Sequence, residues 1–192
     1  MEKKTEILIE GLTFTEGPRW REDRLFFSDF FTKRVLSVDL QGNVETIVET
    51  EYQPSGLGWR PDGTLLIVSM NDRKLLGLKD GILKEEADLS DLASFHCNDM
   101  VVDNLGNAYI GNFGFDLHGG EKLKSTNLIL VRPGKEPEEI AQDLYFPNGA
   151  VITPDSKTLI IGETFGNKLT AFDINEDASL SNRRVWARGW KC

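Results

Sequence analysis

Hydrophobic residues along the chain come in short runs that polar turn signals separate. Runs such as "RLFFSD", "TLLIVS", "NAYIGN" and "TLIIGE" each lie close to Asp, Asn, Gly or Pro residues. Apolar residues at helical spacing do not extend over any useful length, whereas short apolar runs with turn residues between them are typical of β-strands. The pattern therefore predicts an all-β protein.

The same pair of runs occurs four times. The segments "EGPRWREDRLFFSD", "SGLGWRPDGTLLIVS", "NDMVVDNLGNAYIGN" and "NGAVITPDSKTLIIGE" align with one another, and their starts are 39, 43 and 50 residues apart. Each segment contains an apolar run, a turn and a second, more apolar run. The four segments begin at Glu16, Ser55, Asn98 and Asn148.

Two weaker strand candidates follow each segment, for example "RVLSVDL" and "NVETIVE" after the first, and "KLTAFDI" and "RRVWA" after the fourth. Four strands in a repeat of about 40–45 residues are typical of a β-propeller blade. A β-sandwich uses similar strands but gives no reason for one motif to recur. We therefore predict a single β-propeller domain over residues 1–192, with four four-stranded blades.

One further strand is predicted at the N-terminus, where "TEILIEGL" (residues 5–12) precedes the first repeat. The four blades leave this strand without a partner. Rings of four blades are at the small extreme for propellers. We therefore expect further blades in the complete ring, and an open arc of four blades in this chain.

The first residue of each repeat is a candidate for binding. The innermost strand of a blade follows the central channel, so the residues that open the four repeats should meet at one mouth. Glu16, Asn98 and Asn148 would supply one carboxylate and two amides, an oxygen-rich set that Ca²⁺ and Mg²⁺ prefer. Any one of them alone is better explained as a turn residue, but three in register favour a metal site. Ser55 is expected to be only a neighbour.

A second ring of residues is predicted beside the first, because antiparallel second strands return to the same mouth. Asn112 and Glu163 end two of these strands and are candidate substrate contacts, with solvated strand ends as the alternative reading. The longest connection, residues 113–125, follows directly and should overhang the mouth as a lid. The alternative for this loop is an ordered surface excursion.

Nucleophilic catalysis finds little support in the sequence. No G-x-S-x-G motif is present, so the "HGG" at His118 lacks the partner that would make it an oxyanion loop. His96 and Cys97 are adjacent and should point to opposite faces of a strand. A Cys–His pair is therefore disfavoured, and Cys97 is expected to be a small buried apolar residue.

Charge and composition narrow the partners. The formal net charge is −9 and no run of Lys or Arg occurs, which argues against a nucleic-acid partner. No apolar stretch has the length of a signal peptide or a membrane span. The only cysteines, Cys97 and Cys192, are too few for a disulfide framework or a cysteine zinc site. These observations predict a cytoplasmic protein and indicate no oligomeric state.

The motifs "EGPRW", "SGLGWRPDG", "NDMVVD" and "FPNGAVITPDSKTLIIGET" together resemble the senescence marker protein/gluconolactonase family, the regucalcin-like lactonases, over about residues 11–175. The resemblance implies a six-bladed propeller with one divalent cation at the channel mouth and hydrolysis of sugar lactones or other cyclic esters. It implies that Glu16 and Asn148 bind the metal and that Asn98 lies near metal and substrate. Ca²⁺ is the expected cation, with Mg²⁺, Zn²⁺ and Mn²⁺ as alternatives.

The chain departs from the family pattern at two points. The remaining metal-binding Asp of the family opens a fifth blade, beyond the last residue of this sequence. Some sugar-lactone members carry a substrate-binding Arg two residues before the Asn of the "ND" motif. This chain has His96 there, which is therefore a candidate substrate contact. Asp99 is the visible candidate for the catalytic general base, and the fifth-blade Asp is an equal alternative.

The sequence therefore favours a metal-dependent lactone hydrolase with a small-molecule substrate. Two alternatives remain. A non-catalytic binding propeller would carry scattered polar residues at the mouth, and a strictosidine-synthase-like propeller would require no metal.

Overall fold

The computed structural model describes residues 5–189, which contain sixteen β-strands and no helix. The strands form four antiparallel sheets of four strands each, and in each sheet neighbours in sequence are neighbours in space. In the first two sheets the strands are β1 Thr15–Arg21, β2 Arg24–Asp29, β3 Arg34–Asp39, β4 Val44–Glu49, β5 Pro54–Trp59, β6 Leu65–Ser69, β7 Lys74–Lys79 and β8 Ile82–Asp88. In the other two they are β9 Cys97–Val102, β10 Ala108–Asn112, β11 Thr126–Val131, β12 Glu138–Leu144, β13 Pro147–Ile152, β14 Thr158–Glu163, β15 Lys168–Ile174 and β16 Leu180–Arg188.

Each predicted repeat is one blade, and the predicted all-β class is confirmed. The innermost strands β1, β5, β9 and β13 begin within one residue of the predicted repeat starts. The predicted outer strand "KLTAFDI" coincides with β15, whereas the predicted "RRVWA" is only the centre of the longer β16. Short apolar runs and their turns are local signals, which explains why the strands were readable from sequence.

Buried apolar clusters hold consecutive blades together. Leu57 and Ile67 pack between the first two blades, together with Val35. Met100 and Ile110 belong to the cluster between the second and third blades. The third and fourth blades share a cluster that contains the fully buried Tyr109 together with Leu159, Ile161 and Phe172. The inner strands β5 and β9 of the middle blades are thus mostly buried, whereas β1 and β13 of the outer blades are only partly buried.

The first and fourth blades do not share apolar packing of this kind. No buried apolar cluster of residues 5–189 combines the two, and each contributes residues to an open cavity between them. The described residues therefore form an arc of four blades around part of a channel. Further blades stay a prediction.

The predicted N-terminal strand is wrong. Residues 5–12 form no strand, and Ile9 and Leu12 instead pack on the cluster of Phe27 and Leu36 in the first blade. The segment thus lies against a blade face, where side chains project, rather than along a strand edge, where free N–H and C=O groups could form a ladder. Ile9 and Leu12 are thereby partly buried, whereas Ile7 and Leu8 stay exposed.

Two further predictions from the sequence concern membrane spans and cysteines. Residues 5–189 contain no helix long and apolar enough to cross a membrane. Cys97 is fully buried, as expected, and burial raises the pKa of its thiol to about 12. Cys192 lies outside the described residues.

Candidate functional site

A β-bulge opens every innermost strand at the predicted site. In β9, Cys97 pairs with Asn112 and Met100 pairs with Ile110, so that Asn98 and Asp99 together oppose a single residue. The other three innermost strands show the same shift of register near their starts. A bulge inserts one extra residue and re-aims the side chains around it. Because of this irregularity, polar residues can begin otherwise apolar strands.

Three of the predicted residues line one cavity. Glu16 from the first blade, Asp99 from the third and Asn148 from the fourth surround an open space of about 460 Å³. Arg19 lines the same cavity. These residues are up to 132 positions apart in sequence, and only the curvature of the blades brings them together. Carboxylate and amide oxygens therefore meet at the channel mouth.

The carboxylates of the cavity influence each other. Burial raises the pKa of Glu16, and the negative charge of Asp99 raises it further. Burial also raises the pKa of Asp99, although the Arg19 guanidinium beside it acts in the opposite direction. Arg19 Nη2 lies 3.0 Å from Asp99 Oδ1, and the Asp99 side chain is only 8% exposed. The carboxylates of Glu16 and Asp99 thus line one cavity together with the guanidinium of Arg19.

Asn98 and Ser55 are placed less directly at the cavity. The Asn98 side chain is buried, and its Nδ2 donates to the Pro147 carbonyl at 3.1 Å, which ties the third blade to the fourth. Ser55 is fully buried as well, and its Oγ has no hydrogen-bond partner within the described part of the chain. Neither residue lines the cavity, and the metal and substrate roles of Asn98 stay predictions.

The residues that end the second strands of the third and fourth blades are hydrogen-bonded to neighbouring segments. Glu163, fully buried, accepts hydrogen bonds from the Tyr145 backbone N–H at 2.9 Å and from the Thr170 hydroxyl. Asn112 is fully buried too, and its Nδ2 donates to Asn127 Oδ1 at 2.7 Å. Glu163 thereby fixes the connection that precedes β13, and Asn112 links β10 to β11 within the third blade. The predicted substrate contacts of Asn112 and Glu163 stay predictions.

Asp29 occupies the equivalent position in the first blade. Its Oδ1 accepts hydrogen bonds from the backbone N–H groups of Thr13 and Phe14, at 3.0 and 2.9 Å, and its Oδ2 accepts one from the Thr32 hydroxyl at 2.7 Å. Burial alone would raise the pKa of Asp29, but these hydrogen bonds outweigh it and hold the pKa below its ordinary value. Asp29 thereby fixes the chain just before Glu16.

An aromatic cluster lies at the loops of the third and fourth blades, and none of its residues lines the cavity. His96 stacks on Phe95 with ring centroids 4.1 Å apart and meets the edge of Phe113 at 5.8 Å. Phe113 packs against Phe146 at 4.4 Å, and Phe146 in turn contacts the half-exposed Phe165. Burial lowers the pKa of His96. His96 therefore stands in largely apolar surroundings.

The loop over residues 113–125 is anchored by this cluster. Phe113 and Phe115 at its start are buried, whereas residues 117–124 are exposed. Within the exposed part, Asp116 Oδ1 accepts the Gly119 N–H at 2.7 Å, and the Asp116 N–H donates to Glu121 at 2.9 Å. The loop follows β10 directly, as predicted, and its own hydrogen bonds order it. Its function as a lid stays a prediction.

Arg19 is the residue of the cavity that sequence reasoning missed. It stands inside the "EGPRW" motif, three residues after Glu16. Strict alternation would place positions 16 and 19 on opposite faces, but the bulge between them shifts the register. The presence of a charged residue within a recognised motif was the only signal that the sequence offered for Arg19. The bulge determines which way the Arg19 side chain points.

The donor set suits a hard cation. Glu16, Asp99 and Asn148 offer oxygen only, and carboxylates with amide oxygens are the ligands that Ca²⁺ and Mg²⁺ take. Residues 5–189 contain no cluster of three or more His, Cys, Asp or Glu side chains arranged for a metal. Amide oxygens would therefore have to complete any set of ligands.

Comparison with known proteins places these features in a family. The sequence profile of the "SMP-30/Gluconolactonase/LRE-like region" matches residues 14–191. The lactonase drp35 of Staphylococcus saprophyticus is 27% identical over 187 residues, which cover 91% of this chain and 53% of the relative. The chain thus spans about half the length of the curated relatives that it matches.

Solved structures share the arrangement of blades. A gluconolactonase from Xanthomonas campestris superposes with a TM-score of 0.76 and 25% identity, over 93% of this chain and 64% of its own. Regucalcin from Agrobacterium tumefaciens, described as a calcium-binding protein, superposes with a TM-score of 0.76 and 22% identity, over 94% and 61%. At the latter identity the likeness concerns the fold alone.

Proposed function

Because the chain belongs to the SMP-30/gluconolactonase/LRE-like family, we propose that it acts in divalent-cation-dependent hydrolysis of sugar lactones or related cyclic esters. One observation carries the proposal. Glu16, Asp99 and Asn148, from three different blades, line one cavity at the channel mouth. The lactonase name of the relatives and the gluconolactonase name of a structural neighbour support the same reaction class.

Each cavity residue has a separate task in this proposal. Glu16 and Asn148 would hold the cation, with Asn98 as a further ligand or a substrate anchor. A divalent cation bound there would polarise an ester carbonyl and lower the pKa of a nearby water molecule. Asp99 would accept a proton from the attacking water, since it is a carboxylate facing the same cavity. Ca²⁺ is the proposed cation, because Glu16 and Asn148 offer oxygen ligands only.

The residue at one family position bears on the choice of substrate, although it lies in the aromatic cluster and does not line the cavity. Where some sugar-lactone members of the family have an Arg, this chain has His96 against Phe95 and Phe113. Such surroundings offer apolar contact and few hydrogen bonds to hydroxyl groups. A substrate panel should therefore include apolar and aromatic lactones as well as sugar lactones. Neither a binding-only propeller nor a metal-free one accounts for the convergence of Glu16, Asp99 and Asn148.

Glu16→Gln tests the proposal most directly. The change removes one charge from the cavity and alters its size little. We expect Ca²⁺ affinity, measured by calorimetric titration, to fall at least about tenfold because carboxylate count tunes such sites. Divalent-dependent hydrolysis over the lactone panel should be lost as well. Circular dichroism should show an intact fold.

Glu136→Gln is the matched control. Glu136 is exposed in the turn between β11 and β12, at the end of the blade away from the mouth. The same loss of charge there should leave affinity unchanged. Equal affinities of Glu16→Gln and the unchanged protein would contradict the proposed site, and hydrolysis that persists in chelator would contradict the cation dependence.

A further inference from the structure

Arg19 connects two blades that are not neighbours. It belongs to β1 in the first blade, yet its Nη2 lies 3.0 Å from Asp99 Oδ1 in the third blade and also donates to the Met100 carbonyl. Its Nη1 donates to the carbonyl of Pro18 at 2.8 Å. Because several N–H groups of one guanidinium are engaged, its orientation is restricted. The side chain thus links the first blade directly to the third, past the second.

Glycines make this reach possible. A Cβ atom on Gly17 would lie 2.7 Å from the Ser55 carbonyl oxygen, and one on Gly56 would lie 2.5 Å from the Met100 nitrogen. The inner strands β1, β5 and β9 therefore approach more closely than side chains would allow. An arginine on β1 can consequently contact β9 across β5.

The contact has a consequence for cation binding. Asp99 and Glu16 face one cavity, and a dication there would attract both carboxylates. The Asp99 carboxylate is already engaged, since its Oδ1 pairs with Arg19. The guanidinium charge also lies at the wall of the cavity and would repel a dication. Arg19 thus opposes the cation in two ways.

From this geometry we infer that Arg19 is a positioning residue, which keeps Asp99 out of the cation's ligand set and sets the cation affinity below what the carboxylates alone would give. The inference rests on the proposed function. It assigns Glu16 and Asn148 to the cation and leaves the second carboxylate oxygen of Asp99, which Arg19 does not pair with, as the proton acceptor. A residue with a merely structural role would not weaken binding of a dication.

Calorimetric titration with Ca²⁺ tests the inference. Arg19→Gln should bind Ca²⁺ about tenfold more tightly than the unchanged protein, because the repelling charge is removed and Asp99 is released toward the cation. Arg19→Lys should stay within about threefold of the unchanged protein, because it keeps the charge. Lactone hydrolysis by Arg19→Gln should fall even with Ca²⁺ saturating, so that kcat decreases rather than KM increasing.

Arg21→Gln is the matched control. Arg21 lies on the same strand as Arg19, and its substitution removes the same charge. Its guanidinium stacks over Trp59, 5.0 Å from the ring centroid, and does not line the cavity. Its Ca²⁺ affinity should equal that of the unchanged protein. If Arg19→Gln and Arg21→Gln both bound Ca²⁺ more tightly to the same extent, the cause would be the net charge of the protein, and the inference would be overturned.

The double variant Arg19→Gln/Asp99→Asn shows whether Arg19 acts through Asp99. It also leaves no buried carboxylate unpaired, so it guards against misfolding of the single variant. We expect the tightening to disappear in the double variant. Tightening that persists, or Arg19→Gln that binds no more tightly than the unchanged protein, would overturn the inference alone. Failure of the unchanged protein to bind Ca²⁺ would overturn the proposed function and the inference with it.

Discussion

The close approach of β5 to β9 at Gly56 offers a quantitative test of the site's architecture. A Cβ atom at this position would lie 2.5 Å from the backbone nitrogen of Met100 and 2.9 Å from the backbone carbonyl carbon of Asp99. Both are backbone atoms, so no change of rotamer can relieve the overlap. Gly56→Ala must therefore separate the strands by roughly 0.9 Å to restore an ordinary contact of 3.4 Å.

The expected cost follows from the size of the overlap. Extra carbon in a packed core costs about 1–3 kcal/mol, and a backbone clash belongs at the upper end of that range. For a chain of this length each kcal/mol lowers Tm by about 2–4 °C. We therefore expect Gly56→Ala to melt about 4–12 °C below the unchanged protein, measured by far-ultraviolet circular dichroism and checked by urea unfolding.

Gly81→Ala is the control for this experiment. Gly81 lies in the turn between β7 and β8 with φ +74°, and a Cβ atom there would meet no atom within 4 Å. Its substitution costs only backbone strain, about 1–2 kcal/mol. If Gly56→Ala melts within about 1 °C of the unchanged protein, or above Gly81→Ala, the strands are not held as closely as described.

Two further predictions concern the loops at the mouth. Asp29→Asn should lower the free energy of unfolding by about 1–3 kcal/mol at pH 7, because four donors on Thr13, Phe14 and Thr32 lose an ionised acceptor. Hydrogen bonds hold the Asp29 pKa below 3.8, so this advantage is complete above pH 3.8 and should shrink in urea titrations as the pH falls below it; a difference that does not depend on pH would contradict the assignment. Replacing residues 117–123 by a short Gly-Ser linker should change the preference among lactones more than the Tm, because those residues are exposed while the loop's buried anchors remain; unchanged kinetics over the lactone panel would refute a lid.

Much of the fold was readable from the sequence because its signals are local. An apolar run with a turn at each end specifies a strand whatever its partner, and recurrence of the run specifies a blade. The candidate residues Glu16, Asn98 and Asn148 were found by the same means, since equivalent positions in a repeat occupy equivalent positions in a ring. The burial of Cys97 was expected from the usual behaviour of a free cysteine.

What depended on contacts between distant segments could not be read in this way. The segment of residues 5–12 has the composition of a strand but no adjacent edge, and only the folded chain shows that it packs on a blade face. The bulges of the inner strands break the alternation on which sequence reasoning relies. The bridge from Arg19 to Asp99 joins residues 80 positions apart. It exists because Gly17 and Gly56 together allow three backbones to approach, and the chain's curvature, not its local pattern, decides which side chains then meet.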